Sequence, residues 1–356
     1  MVMNPSLKEK PSQRIPRLSF WQRTGYCAAA LFTASQLVKY AKKLDLRGKT
    51  VLITGSRGLG LALAYELGRR GARIALSARD PEELQRACEG LHRESIEAVW
   101  FPCDVTHKNE IEQLLRQVIE RFGRLDILIN NAGEIQVGPF DSLEHSDFER
   151  AMDLMFWAPL NLTFAVLPEM KRQGGGYIVN ITSVGGRVSV PHLLPYSCAK
   201  FAFVGFSTGL SSELHGSGID VLTVVPGLMR TGGHLNAKFK SSAQDEFAWF
   251  SLLGNLPGMS VAAGYAARCI RRALERKMRV CTISLPAKIL IACEALLPDT
   301  MRTVMASTNR FLLPQDNGSK QEVTGHSLEP LFGRSFQVAT ALGKQAADAL
   351  NERAGS

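Results

Sequence analysis

The sequence predicts an α/β fold in which a doubly wound parallel sheet lies between two layers of helices. Short apolar segments alternate with amphipathic helix patterns from about residue 50 to residue 283. A glycine-rich stretch, residues 55–60, directly follows the first apolar segment, and a tyrosine and a lysine four residues apart begin a later helix pattern. These three observations indicate a three-layer α/β/α domain within a chain of 356 residues.

The alternation defines the order of the predicted elements. The predicted strands are residues 50–54, 73–77, 97–102, 125–130, 176–181, 219–225 and 278–283. The predicted helices are residues 59–70, 81–92, 108–122, 146–172, 196–215 and 260–275. Glycines stand at several helix-to-strand returns, as expected where a helix ends in a left-handed residue.

The glycine-rich stretch has the pattern of a pyrophosphate-binding turn between a strand and a helix. Glycines let the backbone approach a phosphate closely, and the free N–H groups of a helix N-terminus attract an anion. The alternative is a tight turn that binds nothing, because the spacing is GxxGxG and not the usual GxGxxG. The predicted cofactor-binding residues of this turn are Gly55, Ser56, Arg57, Gly58, Leu59 and Gly60.

Tyr196, Lys200 and Ser183 are the predicted catalytic residues. Residues i and i+4 share one face of a helix, so the phenol and the ammonium are expected to face one cavity. A phenol has an ordinary pKa of about 10, and a neighbouring cation is expected to lower it toward the range of a useful proton donor. Ser183 ends an apolar strand and is predicted to hydrogen-bond the same substrate oxygen. An ordinary surface helix pair is the alternative for Tyr196 and Lys200 alone.

In order and spacing, these motifs resemble those of the short-chain dehydrogenase/reductase family over residues 48–285. The resemblance implies a Rossmann-type fold and a Ser, Tyr, Lys catalytic set. It also implies a role for NNAG at residues 130–133, for an adenine-contacting Asp after the third strand, and for a PGxxxT segment beside the nicotinamide. The further cofactor residues implied are Asp104, Val105, Asn131, Ala132, Gly133, Pro226, Gly227 and Thr231, together with Tyr196 and Lys200.

The chain departs from the family pattern in two places. Its glycine turn, residues 54–60, is one residue shorter than the family's TGxxxGxG. Met155 stands where many members have an Asn that holds a proton-relay water. A thioether accepts hydrogen bonds weakly and cannot donate them, so either another group holds the relay water or turnover is impaired.

The end of the second strand predicts NADP(H) over NAD(H). Family members that prefer NAD place an acidic residue at the position of Ala78, where it binds the ribose hydroxyls. Here that residue is neutral and Arg79 follows, a side chain whose planar guanidinium suits a phosphate. Arg57 offers a second cation. The alternative is that both arginines are merely solvated and that Asp80 accepts the ribose hydroxyls.

Three regions are predicted along the chain: a basic leader at 1–47, a catalytic domain at 48–285 and a helical extension at 286–356. Residues 1–49 carry ten Lys or Arg against two acidic residues, which accounts for most of the net charge of +9. The apolar part of the leader, residues 26–38, is too short to span a bilayer and is predicted as a helix that packs on the domain or lies at a membrane surface. Residues 280–297 are predicted as the last strand and an amphipathic helix, and residues 335–351 as a final helix.

Composition favours a cytoplasmic protein without a metal site. The seven cysteines are scattered and form no CxxC pair, and the seven histidines form no metal-spaced cluster. The basic charge lacks any nucleic-acid recognition motif. A small-molecule carbonyl or alcohol is the expected partner, and the sequence leaves open a peripheral membrane contact through the leader and a homo-oligomer.

The predicted function is NADPH-dependent reduction of a ketone or aldehyde to an alcohol, a reversible reaction. Aromatic and leucine residues in 228–258, with Val190, Leu193 and Leu194, predict a lipophilic substrate pocket. Burial of these residues against a partner subunit or the C-terminal extension is the alternative. Two other functions remain open: a redox-silent NADP-binding scaffold and a membrane-surface lipid-handling protein.

Overall fold

Seven parallel strands form the central sheet of the molecule, in the order β11-β7-β6-β4-β1-β2-β3. The structure, a computed structural model, describes residues 43–353, so the helix predicted over 26–38 lies outside the described residues. The strands of this sheet are β1 (Thr50–Thr54), β2 (Arg73–Ala78), β3 (Ala98–Pro102), β4 (Ile127–Asn130), β6 (Gly176–Ile181), β7 (Ile219–Pro226) and β11 (Val280–Ile283). They coincide with the seven predicted strands to within three residues at either end.

The sheet is apolar on both faces because helices cover both, as parallel sheets require. Val51, Leu52 and Ile53 of β1 are fully buried. β1 pairs with β2 on one side and with β4 on the other, so the order of the strands reverses there. In sheets of this type the crevice at the carboxyl ends of the two strands that flank the reversal is the usual ligand site.

Two layers of helices enclose the sheet and bury its two faces in separate apolar clusters. Ala266, Ala267 and Ile270 belong to one cluster, and Leu162 and Val166 to the other. The helices before residue 285 are α1 (Gly58–Gly68), α2 (Pro81–Arg93), α3 (Lys108–Phe122), α4 (His145–Met152), α5 (Ala158–Arg172), α6 (Leu194–Glu213), α7 (Ala243–Asn255) and α8 (Ala263–Glu275).

The helix predicted over 146–172 is interrupted in the structure. A π-helical turn, Asp153–Trp157, separates α4 from α5 and contains Met155. The stretch His145–Arg172 is the one helical stretch in residues 43–353 that is long and apolar enough by composition to cross a membrane. The core helix of a globular fold passes the same test, and Ala158, Leu162 and Val166 of this stretch are buried within the molecule. Single π turns occur frequently at functional sites.

Residues after 284 form five further α-helices among the residues that the structure describes. The helix predicted over 335–351 is two helices, which meet at Thr340. Minor strands form two small sheets beside the main one: β5 (Gln136–Val137), β8 (Leu228–Arg230), β9 (Lys238–Phe239), β10 (Ser260–Ala262) and β12 (Val323–Thr324). The late helices are α9 (Leu285–Leu296), α10 (Pro298–Phe311), α11 (Gly325–Leu328), α12 (Arg334–Ala339) and α13 (Ala341–Ala349).

The aromatic residues of segment 228–258 pack against this extension and not around a substrate cavity. Phe239 and Phe247 are fully buried, and the Phe247 ring lies 5.4 Å from the Phe332 ring and 6.0 Å from the Phe336 ring, measured between centroids. Leu193 packs on the same cluster. For these residues the alternative holds, since they pack against the extension, and the lipophilic substrate pocket stays a prediction.

Candidate functional site

A cavity of about 400 Å³ lies at the carboxyl ends of β1 and β4, where the order of the strands reverses. Its volume falls within the roughly 300–1,000 Å³ of small-molecule sites. The predicted residues that line it are Ser56, Arg57, Leu59, Arg79, Asp104, Val105, Asn131, Ala132, Gly133, Tyr196, Lys200, Thr231 and the glycines Gly55 and Gly58. Four predicted residues, Gly60, Ser183, Pro226 and Gly227, do not line it.

The glycine turn requires its glycines although it is one residue short. Gly55 has φ +94°, a left-handed conformation that a residue with a Cβ rarely adopts. A Cβ on Gly60 would collide with the Gly55 carbonyl oxygen, because α1 begins directly under the turn. Gly60 therefore supports the turn from below and does not contact the cavity. The backbone N–H of Gly58 begins α1 and faces the cavity side of the turn.

Hydrogen bonds join the ends of β1 and β4 beneath the cavity. The Thr54 hydroxyl oxygen accepts from the backbone N–H groups of Asn131 and Ala132, at 3.0 and 3.1 Å. The Asn131 side chain donates to the Thr54 carbonyl oxygen at 2.9 Å. The NNAG segment thus fixes the spacing between the two strands, and Ala132 and Gly133 continue along the cavity wall.

The end of the cavity at β2 and β3 has both charged residues that the sequence indicated, Asp104 and Arg79. Burial favours the neutral form of Asp104, but hydrogen bonds from Thr106 and the charge of Arg79 outweigh it and hold the pKa of this carboxyl below its ordinary value. Arg79 is exposed and makes no ion pair with residues 43–353. Asp80 caps α2, where its carboxylate accepts from the N–H groups of Glu82 and Glu83. Asp80 is therefore already engaged and is a poor acceptor for ribose hydroxyls.

The Arg57 side chain is held in place by contacts with other residues of the protein. Its guanidinium lies 3.0 Å from Glu83 and donates to the Asn236 side chain at 2.8 Å. The Ser56 hydroxyl donates to the same buried Glu83 carboxylate. Sequence reasoning missed Glu83, a buried acid under the phosphate turn, because on a helix written PEELQRA it is indistinguishable from a surface glutamate.

Tyr196 and Lys200 lie one turn apart near the start of α6 and both reach the cavity. The Lys200 ammonium is 5.8 Å from the centre of the Tyr196 ring and donates to the Ile181 carbonyl oxygen at 3.0 Å. Burial lowers the pKa of Lys200 to about 8. Burial raises the pKa of Tyr196, and a hydrogen bond from Ser183 offsets part of that rise. The expected lowering of the Tyr196 pKa is therefore not found, because desolvation exceeds the effect of the Ser183 hydrogen bond.

Ser183 lies behind Tyr196 and outside the cavity lining. It follows the end of β6, and its hydroxyl oxygen accepts from the Gly185 N–H at 3.0 Å. Gly185 lies close to the Tyr196 ring, since a Cβ on it would stand 3.1 Å from that ring, a tighter contact than is usual. A carbonyl oxygen that reaches the Tyr196 hydroxyl therefore also approaches the Ser183 side chain.

Met155 lies in the π-helical turn, beside Lys200. Met155 is 1% exposed, and its sulfur lies 3.5 Å from the point at which a Gly133 Cβ would stand. The Lys200 ammonium lies 3.8 Å from the same point. The thioether and the ammonium thus both lie beside Gly133, and the Lys200 ammonium donates to the Ile181 carbonyl oxygen and not to the Met155 sulfur.

Glu352 also lines this cavity and Leu350 contacts the glycine turn, which sequence reasoning did not predict. The Gly58 N–H donates to the Leu350 carbonyl oxygen at 2.9 Å, and a Cβ on Gly58 would collide with the Glu352 carboxylate. Asn236 holds that carboxylate through its side-chain amide at 2.6 Å. No local motif marks Glu352, since its position follows from how the extension packs.

The glycine turn, the reversed strand order and the Tyr–Lys pair define a dinucleotide-binding oxidoreductase. The residues present fit a dinucleotide, because the turn at Gly55 and Gly58 would hold its phosphates, Asp104 its adenine and Arg79 its ribose end, all along one cavity. The model of the short chain dehydrogenase family matches residues 49–240, and the chain belongs to that family. Members bind NAD(P).

Similar proteins agree with this assignment. An uncharacterized oxidoreductase of Thermotoga maritima is 33% identical over 215 residues, which cover 60% of this chain and 84% of the relative. A putative ketoacyl reductase of Streptomyces coelicolor is 37% identical over 186 residues, covering 51% of this chain and 71% of the relative. The crystal structure of a single-residue variant of actinorhodin polyketide ketoreductase with NADPH superposes with a TM-score of 0.57 at 29% identity, covering 66% of this chain and 95% of that chain.

Proposed function

We propose that this protein reduces a ketone or aldehyde to an alcohol with NADPH. The observation that carries the proposal is the common cavity of the Tyr196–Lys200 pair and the Gly58 turn. A proton donor and a dinucleotide site in one cleft are what carbonyl reduction requires. The ketoacyl reductase and ketoreductase among the similar proteins support this direction of reaction.

The roles of the side chains follow from their positions. NADPH, when bound, supplies the hydride that reduces the carbonyl carbon. Tyr196 donates its phenolic proton to the carbonyl oxygen, and Ser183 stabilises that oxygen and the phenolate that remains. Lys200 is buried with its pKa lowered to about 8, so it exchanges protons readily at the base of the cavity. The same groups working in reverse oxidise an alcohol.

Preference for NADPH over NADH rests on the end of β2. Ala78 presents no carboxylate to repel a 2′-phosphate, and Asp80 is committed to its helix cap. Arg79 is exposed at the cavity rim with no ion pair among the described residues, which leaves its guanidinium available to a phosphate. Arg57 is less available, since Glu83 already neutralises it.

A moderately apolar carbonyl compound is the substrate class that the lining supports. The aromatic residues expected to line the pocket are used in packing, so the apolar surface comes from the residues of the cavity itself: Ile135, Leu154, Ile181 and Met229. This surface is modest in size, and it favours a substrate with an apolar chain next to the carbonyl group.

NADPH consumption by the purified full-length chain tests the proposal. A panel of ketones, aldehydes and acyl thioesters would be screened with NADPH and, separately, with NADH. We expect oxidation of NADPH with at least one apolar ketone or aldehyde. Tight NADPH binding without turnover on any member of the panel would instead support the scaffold function, for which the replacement of the relay residue by Met155 is the motivating observation.

A further inference from the structure

The segment Leu350–Arg353 lies in the part of the cleft where a dinucleotide would place its phosphates. Hydrogen bonds of its main and side chains hold it beside the turn. The Gly58 N–H donates to Leu350 at 2.9 Å, the Asn351 side chain donates to the Glu83 carbonyl oxygen at 2.9 Å, and the Asn236 amide donates to Glu352. Glu352 is 7% exposed, so its side chain is inside the protein and not at its surface.

Helix α13 positions the segment through close contacts with the body of the protein. Ala347 is fully buried and packs directly on Gly232, where no side chain would fit. Beyond the helix, the Arg353 guanidinium pairs with the Glu329 carboxylate at 2.7 Å and with Asp348 at 3.0 Å. The segment is thus delivered to the turn by a defined helix and fixed again just after Glu352.

The contacts made by this segment are those that a pyrophosphate needs. The N-terminus of α1 presents free N–H groups and the positive end of the helix dipole, which together favour an anion. Here the Leu350 carbonyl oxygen takes the Gly58 N–H, and the Glu352 carboxylate lies against the Gly58 Cα. One N–H cannot serve both partners, and a carboxylate at that distance repels a phosphate. The segment and the dinucleotide therefore exclude each other.

We infer that residues 350–353 are an autoinhibitory latch that competes with the dinucleotide for the glycine turn. The inference rests on the proposed NADP(H) site and names a regulation of it. Binding of the cofactor then requires displacement of the latch, so the apparent affinity is the intrinsic affinity reduced by the fraction of molecules with the latch open. Any partner or modification that holds the segment elsewhere activates the enzyme.

The latch is poised for release because its charged side chain is poorly compensated. Burial raises the pKa of Glu352 to about 7, even though Arg57 and Asn236 act in the opposite direction. The nearby Glu83 carboxylate adds repulsion. A carboxylate held under these conditions opposes closure, whereas the Arg353–Glu329 pair and the packing of Ala347 favour it.

Calorimetric titration with NADPH tests the inference on three proteins: the full-length chain, the chain ending after Ala349, and Arg353→Ala, which removes the ion pairs that favour closure. The truncated chain keeps α13, and Arg353→Ala keeps the whole segment, so a folding defect in one leaves the other informative. The matched control is Arg70→Ala, which removes an exposed arginine after α1. We expect the Kd of NADPH to fall at least about tenfold in the truncated chain, to fall in Arg353→Ala, and to stay unchanged in the control.

Two further measurements separate a latch from a structural contact. A synthetic peptide of residues 350–353, the residues that the truncated chain lacks, should raise the NADPH Kd of the truncated chain competitively. Amide hydrogen exchange in 341–353 of the full-length chain should increase on addition of NADPH. An unchanged or weaker NADPH affinity in both variants, with binding retained, would overturn the latch and leave the cofactor site standing. Absence of NADPH and NADH binding in all the proteins would overturn the cofactor site and the latch together.

Discussion

The Lys200 ammonium donates a 3.0 Å hydrogen bond to the carbonyl oxygen of Ile181, which ties the start of α6 to the end of β6. This bond holds the ammonium at the bottom of the cavity, 5.8 Å from the centre of the Tyr196 ring. The phenol is therefore the outermost of the two groups and the one placed to meet a substrate. Ile181 itself lines the cavity, so the strand end and the helix form one wall.

Replacement of the phenol tests its role as the proton donor. Tyr196→Phe removes only a hydroxyl, so folding and NADPH binding should be retained while carbonyl reduction falls by at least about 10²-fold. The measurement is the steady-state rate together with the NADPH Kd. The matched control is Tyr265→Phe, an exposed phenol on α8. Near-normal turnover in Tyr196→Phe would rule out the mechanism.

Cofactor preference should follow the two residues at the end of β2. In the double variant Ala78→Asp with Arg79→Ala, an added carboxylate repels the 2′-phosphate and the guanidinium fork is lost. We expect the ratio of kcat/KM for NADPH to kcat/KM for NADH to fall by at least about tenfold, a change of about 1.4 kcal/mol. The single variant Arg70→Ala, a solvent-exposed arginine after α1, is the control. A wild-type protein that uses both cofactors equally would contradict this explanation.

Met155 is expected to be a packing residue whose neighbouring side chains accommodate its sulfur. Met155→Asn buries an amide without partners, so the free energy of unfolding should fall by roughly 1–3 kcal/mol with no gain in kcat. Chemical denaturation and steady-state kinetics measure the two effects. Met170→Asn makes the same exchange at a fully buried position of α5 away from the cavity and serves as the control. A higher kcat at unchanged KM in Met155→Asn alone would show that the proton relay had been missing.

The strength of the latch should depend on pH through Glu352. Its pKa is about 7 in the closed form, above the ordinary 4.5 expected once it is released to solvent. The closed form therefore binds the proton more tightly, and closure is strongest below pH about 4.5 and weakens as the pH rises through 7. The charged groups around it are Arg57 of the turn, Glu83 of α2, His326 of α11 and Arg353.

The ratio of the NADPH Kd in the full-length chain to that in the chain ending after Ala349 measures this effect. It should fall at least about tenfold between pH 5 and pH 8, since the released carboxylate is ionised throughout that range. The ratio cancels the titration of the cofactor's own phosphate, which affects both proteins. In Glu352→Gln the ratio should be independent of pH. A wild-type ratio that is flat from pH 5 to pH 8 would show that Glu352 does not control closure.

Local patterns in the sequence were sufficient to predict the succession of strands and helices and the catalytic pair. The strands are buried on both faces, so they appear as short continuous apolar runs, and Tyr196 and Lys200 need only helical spacing to meet. The glycine turn was predictable for a similar reason, since the close approach of Gly60 to Gly55 that requires its glycines lies within residues 54–60.

Contacts between distant parts of the chain were not predictable. Phe239 and Phe247 are of a residue type that could equally line a substrate pocket. Only the positions of Phe332 and Phe336 show that they pack on the extension. The interruption of the predicted helix at Met155 likewise has no glycine or proline within the turn to signal it. Glu83 and Glu352 are of a residue type that usually lies at the surface, and only the tertiary fold buries them.

The contact between Gly58 and Leu350 joins residues about 290 positions apart, one of the longest loops that the chain closes. The turn's own contacts, with Ser77 and Asn131, join residues much closer in the sequence, so we expect them to form before residue 350 reaches the turn. We therefore expect a chain that folds in the presence of NADPH to meet its cofactor before its own competitor arrives. Protein that folds with NADPH present should meet the cofactor first and residues 350–353 second. Protein that is stripped of NADPH and then given it again should meet them in the reverse order, although its amino-acid sequence is the same.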